Sequence, residues 1–274
     1  MTDGGTHLRA LNAVAITRAV AEIGMRVDVL DTQFLLFQEL ANDSFLTRGI
    51  PIRDTIEQNL SDYSAIYWQG MGVIAPPPYD ISHGMGIYAL NNIAVSQAYE
   101  LPQEPGYFFL GIKKYYAAMV TKIPIAGSDR KWVLMNVHMS AFDAGADARQ
   151  AQIRAVFDFA QAEYSKGNFV VLGGDWNMRI TDTQFPHTTA EKNLFWIYDF
   201  PQGLLPQGWR FGVDDSAPTV RTLHKPYVEG ENYTAIVDGF AYSPNVRLRH
   251  IRTMNLKFRN SDHNPVTAES TTIY

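Results

Sequence analysis

The run Asn260-Ser261-Asp262-His263-Asn264-Pro265-Val266 sets a carboxylate beside an imidazole and then stops the chain with Asn-Pro. Histidine titrates near neutral pH and is a natural acceptor for a proton taken from water. A carboxylate next to it can hold a metal or orient the base. Neighbours in an extended strand point to opposite faces, so Asp262 and His263 converge only at a strand end or turn, which Pro265 favours. The same residues would also serve as a plain surface turn. Other polar groups end apolar runs: Gln38-Glu39, Asn136 and His138, Asp175 and Asn177, and Asp238. A lone strand-end Asp is more often a turn former than a ligand. Recurrence of such groups along one chain carries more weight than any single one. Carboxylates and carboxamides together suit a hard cation, Mg2+ or Mn2+. A hard cation with an imidazole nearby points to metal-assisted hydrolysis of a phosphoester.

Elements must bring these groups together. Trp132–His138 reads as a strand, residues 147–164 as an amphipathic helix with Ile153, Val156, Phe157, Ala160 and Tyr164 on one stripe, and Phe169–Leu172 as a second strand. Lys166-Gly167 is a helix stop. A strand–helix–strand unit makes its strands parallel, so their C-terminal ends share one sheet edge, where ligands bind in open α/β sheets. His138 and Asp175-Trp176-Asn177 fall at that edge. Phe34-Leu35-Leu36-Phe37 reads as a strand buried on both faces. Further strands are expected at Gly86–Leu90, Tyr107–Ile112, Tyr116–Thr121, Thr234–Tyr242 and Val246–Asn255. Residues 8–32 mix helical and strand signals, with Ala19, Val20, Ile23 and Val27 at helical spacing. Residues 42–84 read as loop-rich, with a short helix from Arg53 to Leu60 and the triple Pro76-Pro77-Pro78; residues 178–233 read as loop.

The 274 residues, 46% hydrophobic and 12% aromatic, are enough to bury a sizeable core, and no Gly, Ser or Pro linker divides them, so residues 1–274 read as a single domain. The absence of cysteine excludes disulfides, thiolate nucleophiles and zinc–thiolate sites. A net charge of −5 lacks the basic footprint of a non-specific nucleic-acid binder. No apolar run reaches membrane-spanning length, and the N-terminal segment fits a signal peptide poorly.

Taken in order, Gln38-Glu39, Asn136-Val137-His138, Gly174-Asp175-Trp176-Asn177, Ile236-Val237-Asp238-Gly239-Phe240 and Ser261-Asp262-His263-Asn264-Pro265-Val266 resemble the endonuclease/exonuclease/phosphatase superfamily, over roughly residues 34 to 266. Its members include deoxyribonuclease-like enzymes, abasic-site endonucleases, inositol polyphosphate phosphatases and neutral sphingomyelinases. The resemblance implies an α/β fold, a four-layer α-β-β-α sandwich of two mixed β-sheets flanked by helices. It implies a divalent cation, Mg2+ or Mn2+, on Glu39, with Asp262 at or near the metal. It also implies that His138 contacts the scissile phosphate and that Asp175 and Asn177 position the phosphate or nucleophile. Asp238 would orient His263, the general base. The superfamily begins with a strand bearing a metal-site Asn, for which Asn12 is the candidate, although Leu8–Ile16 reads as readily as a helix start.

The substrate stays open between nucleic acid and a phospholipid headgroup, and the chain is expected to act as a monomer. The apolar stretch 67–81 suits either a loop packed on the core or a surface near lipid. Lys113 and Lys114 read first as solvated and second as local positive charge for a phosphate, and His83, near Gly84 and Gly86, reads first as a loop residue and second as one lining the cleft. The competing reading from another class is a non-catalytic binding module that keeps the sandwich.

Overall fold

The computed structural model describes residues 12–30, 32–42, 47–73, 81–90, 95–106, 114–141 and 143–273. Residues 107–112 and the triple proline lie outside them. The first element is helix α1 (Ala13–Val29). Asn12 starts it: its Oδ1 accepts the Val14 N–H at 2.8 Å, the role for which Asn is favoured at helix starts. Ile16, Ala19 and Val20 form its buried stripe. Strand β1 (Phe34–Leu40) follows, then α2 (Ile52–Glu57), β2 (Ser64–Val73) and β3 (Ile81–Ala89). These strands make an antiparallel sheet in the order β1-β3-β2. Ile16 and Val20 of α1, Ile56 of α2, and Leu35, Leu40 and Tyr88 of the sheet form one apolar cluster, so both helices cover its outer face.

The larger sheet has six strands: β4 (Val95–Glu100), β5 (Ala117–Pro124), β6 (Lys131–His138), β7 (Phe169–Asp175), β8 (Arg210–Gly212) and β11 (Asp238–Tyr242), in the order β4-β5-β6-β7-β11-β8. The β6–β7 pair is parallel and joined by α3 (Asp147–Ser165), as the strand–helix–strand pattern predicts. The other pairs are antiparallel, so this sheet is mixed. α3 ends at Gly167, whose φ of 84° is the left-handed turn glycine adopts freely. Ile153, Val156, Phe157 and Ala160 of α3 pack on Val133, Met135, Val137, Val170 and Leu172. Truncating Phe157 to Ala there would cost about 3–5 kcal/mol.

Side-chain alternation sends the other half of β6 and β7 inward, between the sheets. Met85, Ile87 and Met119 fill that layer with Leu36, Ile66 and Trp68 against them. Asn136, wholly buried, joins the two sheets. Its Nδ2 donates to the carbonyls of Phe37 at 2.9 Å and Gly86 at 3.0 Å, and its Oδ1 accepts from Gln38 Nε2 at 2.6 Å. Helices, sheet, sheet and helix stack as the expected four layers. Two hairpin-like pairs complete the chain: β9 (Val220–Arg221) with β10 (Thr234–Ala235), and β12 (Val246–Thr253) with β13 (Val266–Thr272).

Several sequence expectations are corrected. Asn12 caps a helix. Residues 64–73 are a strand, not loop; Gly70, Gly72 and a register shift between Gln69 and Met71 break the alternation that would have revealed it. β4 was not expected, because this edge strand carries little apolar pattern. Thr234–Tyr242 splits at Ile236-Val237, its first part pairing with β9 and its second with β7.

Candidate active site

Three neighbouring strands of the large sheet end in a row of polar residues. Register pairs His138 on β6 with Asp175 on β7, and Asp175 with Asp238 on β11. His138 Nε2 lies 3.7 Å from Asp175 Oδ2. The row is a direct consequence of strand length: β6 and β7 stop, and antiparallel β11 starts, at the residue that carries the chemistry.

Glu39 reaches the row from the other sheet. The β1–β3 register shifts between Phe37 and Leu40, and Glu39 within that bulge has φ 54°. A bulge re-aims a side chain at the cost of local strain. Glu39 Oε1 comes within 3.7 Å of His138 Nε2 and 3.3 Å of His83 Nε2, on β3.

His263 arrives on the loop before β13. Its Nδ1 lies 2.8 Å from Asp238 Oδ2 and its Nε2 3.9 Å from Asp175 Oδ2. The loop is fixed from behind by buried Asn264. The Asn264 Nδ2 donates to Pro218 O at 2.9 Å, and its Oδ1 accepts the Leu256 N–H at 3.1 Å. Thr219 ties the two partners together. Its Oγ1 accepts the N–H groups of Val237 and Asp238, at 2.9 and 3.0 Å, and its carbonyl accepts the Asn264 N–H at 2.8 Å.

The turn after β7 is held from inside the protein. Gly174 has φ 142°, and a Cβ there would stand 2.1 Å from the Val137 carbonyl oxygen. Asn177 has φ 50°; its N–H donates to Asp175 Oδ1 at 2.8 Å and its Nδ2 to Met139 O at 2.8 Å. The wholly buried Arg149 of α3 clamps the loops around this turn. Its Nη1 donates to the carbonyls of Asn177 at 2.7 Å and Trp196 at 2.8 Å, and its Nη2 to Ala141 O at 2.9 Å. Its Nε pairs with Asp143 at 2.6 Å.

These neighbours set the charge states. Burial, reinforced by the Lys114 ammonium, holds the His138 pKa well below its ordinary value, so the ring is neutral. Burial together with the Asp238 and Glu39 carboxylates pushes Asp175 up to about 7, with His263 opposing. For His263, burial disfavours the imidazolium. The Asp238 and Asp175 carboxylates outweigh it and raise its pKa well above the usual range. The Glu39 side chain is 57% exposed at the site mouth. Desolvation within the site pushes its pKa up. The His83 contact and the Lys114 ammonium outweigh it and hold Glu39 well below the carboxylate range.

Crowded carboxylates of this kind suit a cation, since one would offset the burial and the neighbouring charges that raise the Asp175 pKa. Asp175, Asp238 and His263 each bring a ligand atom within 4.8 Å of the others. The His263–Asp238 bond already occupies that pair, whereas Glu39 at the open mouth could hold a cation.

Of the sequence candidates, Glu39, His138, Asp175, Asp238 and His263 meet in one continuous set of contacts. Asn177 turns beside them. Asp262 interacts electrostatically with both Glu39 and His263, and its backbone carbonyl accepts the Arg221 N–H at 3.2 Å. Asn12 spends its side-chain oxygen on the α1 cap. Thr219 and Arg149 were not foreseen as site residues, and His83 only as a second reading. Only strand register brings His83 to Glu39, and a buried Arg inside a helix stripe has no local sequence signal.

No protein-family model matches the chain, and no curated protein matches it. Solved structures do. A truncated TDP2 from Caenorhabditis elegans superposes with TM-score 0.62 at 13% identity, covering 97% of this chain and 95% of that one. An endonuclease/exonuclease/phosphatase family protein from Leptotrichia buccalis gives 0.63 at 11%, covering 96% of each chain. TDP2 from D. rerio, complexed with single-strand DNA product, gives 0.62 at 14%, covering 97% of this chain and 96% of that one. With the two face-to-face sheets, the flanking helices and the near-complete coverage, the chain has the fold of the endonuclease/exonuclease/phosphatase superfamily.

Proposed function

We propose that this protein is a divalent-cation-dependent hydrolase of phosphoric esters. The observation that supports this most is the row His138–Asp175–Asp238 across three strand ends, completed by the 2.8 Å pairing of Asp238 with His263. A general base needs an orienting partner and an open nitrogen, and this pairing leaves Nε2 as the open one. Glu39, with Asp262 beside it, would hold Mg2+ or Mn2+. Such a cation polarises phosphoryl oxygens and stabilises the charge that develops on them.

The protein's own groups do the rest. Neutral His138 donates a hydrogen bond to a non-bridging phosphate oxygen. Asn177 and the strained turn that carries it place the nucleophile against phosphorus. His263 takes the proton from the attacking water at Nε2, while Asp238 holds Nδ1–H and fixes the ring. Its raised pKa means that Nε2 becomes available as pH rises, so turnover is expected to climb toward the alkaline side. The net charge of −5 disfavours tight tracking along nucleic acid, but the D. rerio TDP2 complex with single-strand DNA product keeps a DNA phosphodiester among the substrates to be tried.

The test is a panel of single-stranded DNA, sphingomyelin vesicles and a phosphomonoester, each with Mg2+ or Mn2+ and with chelator. Cation-dependent turnover of at least one supports the proposal. Cation binding with no turnover of any would identify a binding module instead.

A further inference from the structure

We propose that His83 supplies an imidazole nitrogen to the cation site on Glu39, so that this site favours first-row transition ions such as Co2+ over Mg2+. The inference rests on Glu39 holding the cation, as proposed above.

The distance between the two groups carries the argument. Glu39 Oε1 and His83 Nε2 are 3.3 Å apart. Two donors bound about 2.1 Å from one ion are separated by about 3.0 Å at a right angle and about 3.4 Å at a tetrahedral angle. A charge-assisted N–H···O bond is shorter, about 2.7–2.9 Å. The 3.3 Å contact is thus only a long hydrogen bond, and it also has the span of two ligands on one ion. Backbone geometry sets that span: Glu39 is turned by its bulge at φ 54°, and His83 sits in β3, directly beside β1. The His83 side chain is 18% exposed, on the wall of a shallow pocket shared with Trp68, Lys114, Tyr115 and His138. It is sheltered but reachable.

His138 is less suited to the task. Its Nε2 stands 3.7 Å from both Glu39 and Asp175, so it lies between two carboxylates. Its ring centroid is 6.0 Å from that of His83. The donor set also differs on the oxygen side, because the Asn12 carboxamide caps α1. Mg2+ prefers an all-oxygen octahedron and keeps its waters, whereas an imidazole strengthens binding of Co2+, Ni2+ and Zn2+.

Calorimetric titration of the full chain with Co2+ and with Mg2+, without substrate, tests this. The wild type should bind Co2+ at least about tenfold more tightly than Mg2+. His83→Gln should lose at least about tenfold in Co2+ affinity and less than about threefold in Mg2+ affinity, and His83→Ala should behave alike. In the unsubstituted protein, Co2+ should give a hyperfine-shifted imidazole N–H proton resonance that is missing from His83→Gln; this reads His83 even if the substitution disturbs folding. Unchanged Co2+ affinity, or equal losses for both ions, would overturn the inference. Glu39→Gln separates the two readings. Loss of both ions in Glu39→Gln with His83→Gln silent sinks this inference alone, while retention of both ions in Glu39→Gln sinks the Glu39 site as well.

Discussion

Replacing Asp238 with Asn removes a charge and leaves the backbone untouched, because Thr219 still holds the residue by its N–H. Asp238 Oδ2 lies 2.8 Å from His263 Nδ1, and the two side chains are 14% and 30% exposed. A hydrogen bond to a charged group is worth about 1.5–3 kcal/mol. If all of it is expressed in the transition state, its loss slows turnover by about 10- to 150-fold, at about 1.4 kcal/mol per decade. An Asn amide can also donate to Nδ1, which moves the ring proton to Nε2 and removes the base. In that case the loss approaches roughly 10⁴-fold, the scale for an orienting carboxylate in a catalytic triad. The pH dependence moves as well. Asp238 is the strongest influence raising the His263 pKa, so without it the rising limb shifts to lower pH. The assay is kcat for bis(4-nitrophenyl) phosphate at saturating cation, from about pH 5 to about pH 10. A kcat within about threefold of wild type, with the limb unmoved, would refute the orienting role.

Three other substitutions test the framework. Arg149→Met removes the guanidinium that pairs with Asp143 and donates to the carbonyls of Asn177, Trp196 and Ala141. The expected cost is about 3–5 kcal/mol, read as a melting temperature lower by about 6–20 °C. Gly174→Ala forces a Cβ to 2.1 Å from Val137 O at φ 142°. It should cost roughly 3 kcal/mol or more, and a melting temperature close to wild type would contradict that backbone geometry. Asp175→Asn tests the crowded carboxylate. A folded pKa of about 7 lies above the unfolded value of about 3.9. Ionised Asp175 therefore destabilises the fold increasingly as pH rises between the two. In chelator, Asp175→Asn should melt higher than wild type at about pH 8.5 and level with it at about pH 4; a gap that does not grow with pH would show that Asp175 is not held protonated.

The part of the fold that was legible had strong periodicity. β6, α3 and β7 carry uninterrupted apolar patterns and a Lys-Gly stop, and from them the shared edge of His138 and Asp175 follows by topology. β2 was illegible because glycines and a bulge erase its alternation. Asp238 was visible as a strand residue, but its pairing with Asp175 depends on the chain leaving β10 and switching sheets at Ile236-Val237, which no local pattern announces. Asn12 was ambiguous for a physical reason: a carboxamide before an apolar run is as good a helix cap as a strand-end ligand, and the cap is what forms. His83 gave only the hint of its neighbouring glycines, since its distance from Glu39 depends on register alone.

The most direct test of the account is the rate of phosphoester hydrolysis by His263→Ala against wild type, with the fold checked by circular dichroism and with cation or chelator present. The account predicts cation-dependent turnover in the wild type, abolished by chelator and reduced by at least about 10²-fold in the variant. Wild-type turnover in His263→Ala, or hydrolysis that persists in chelator, would contradict it.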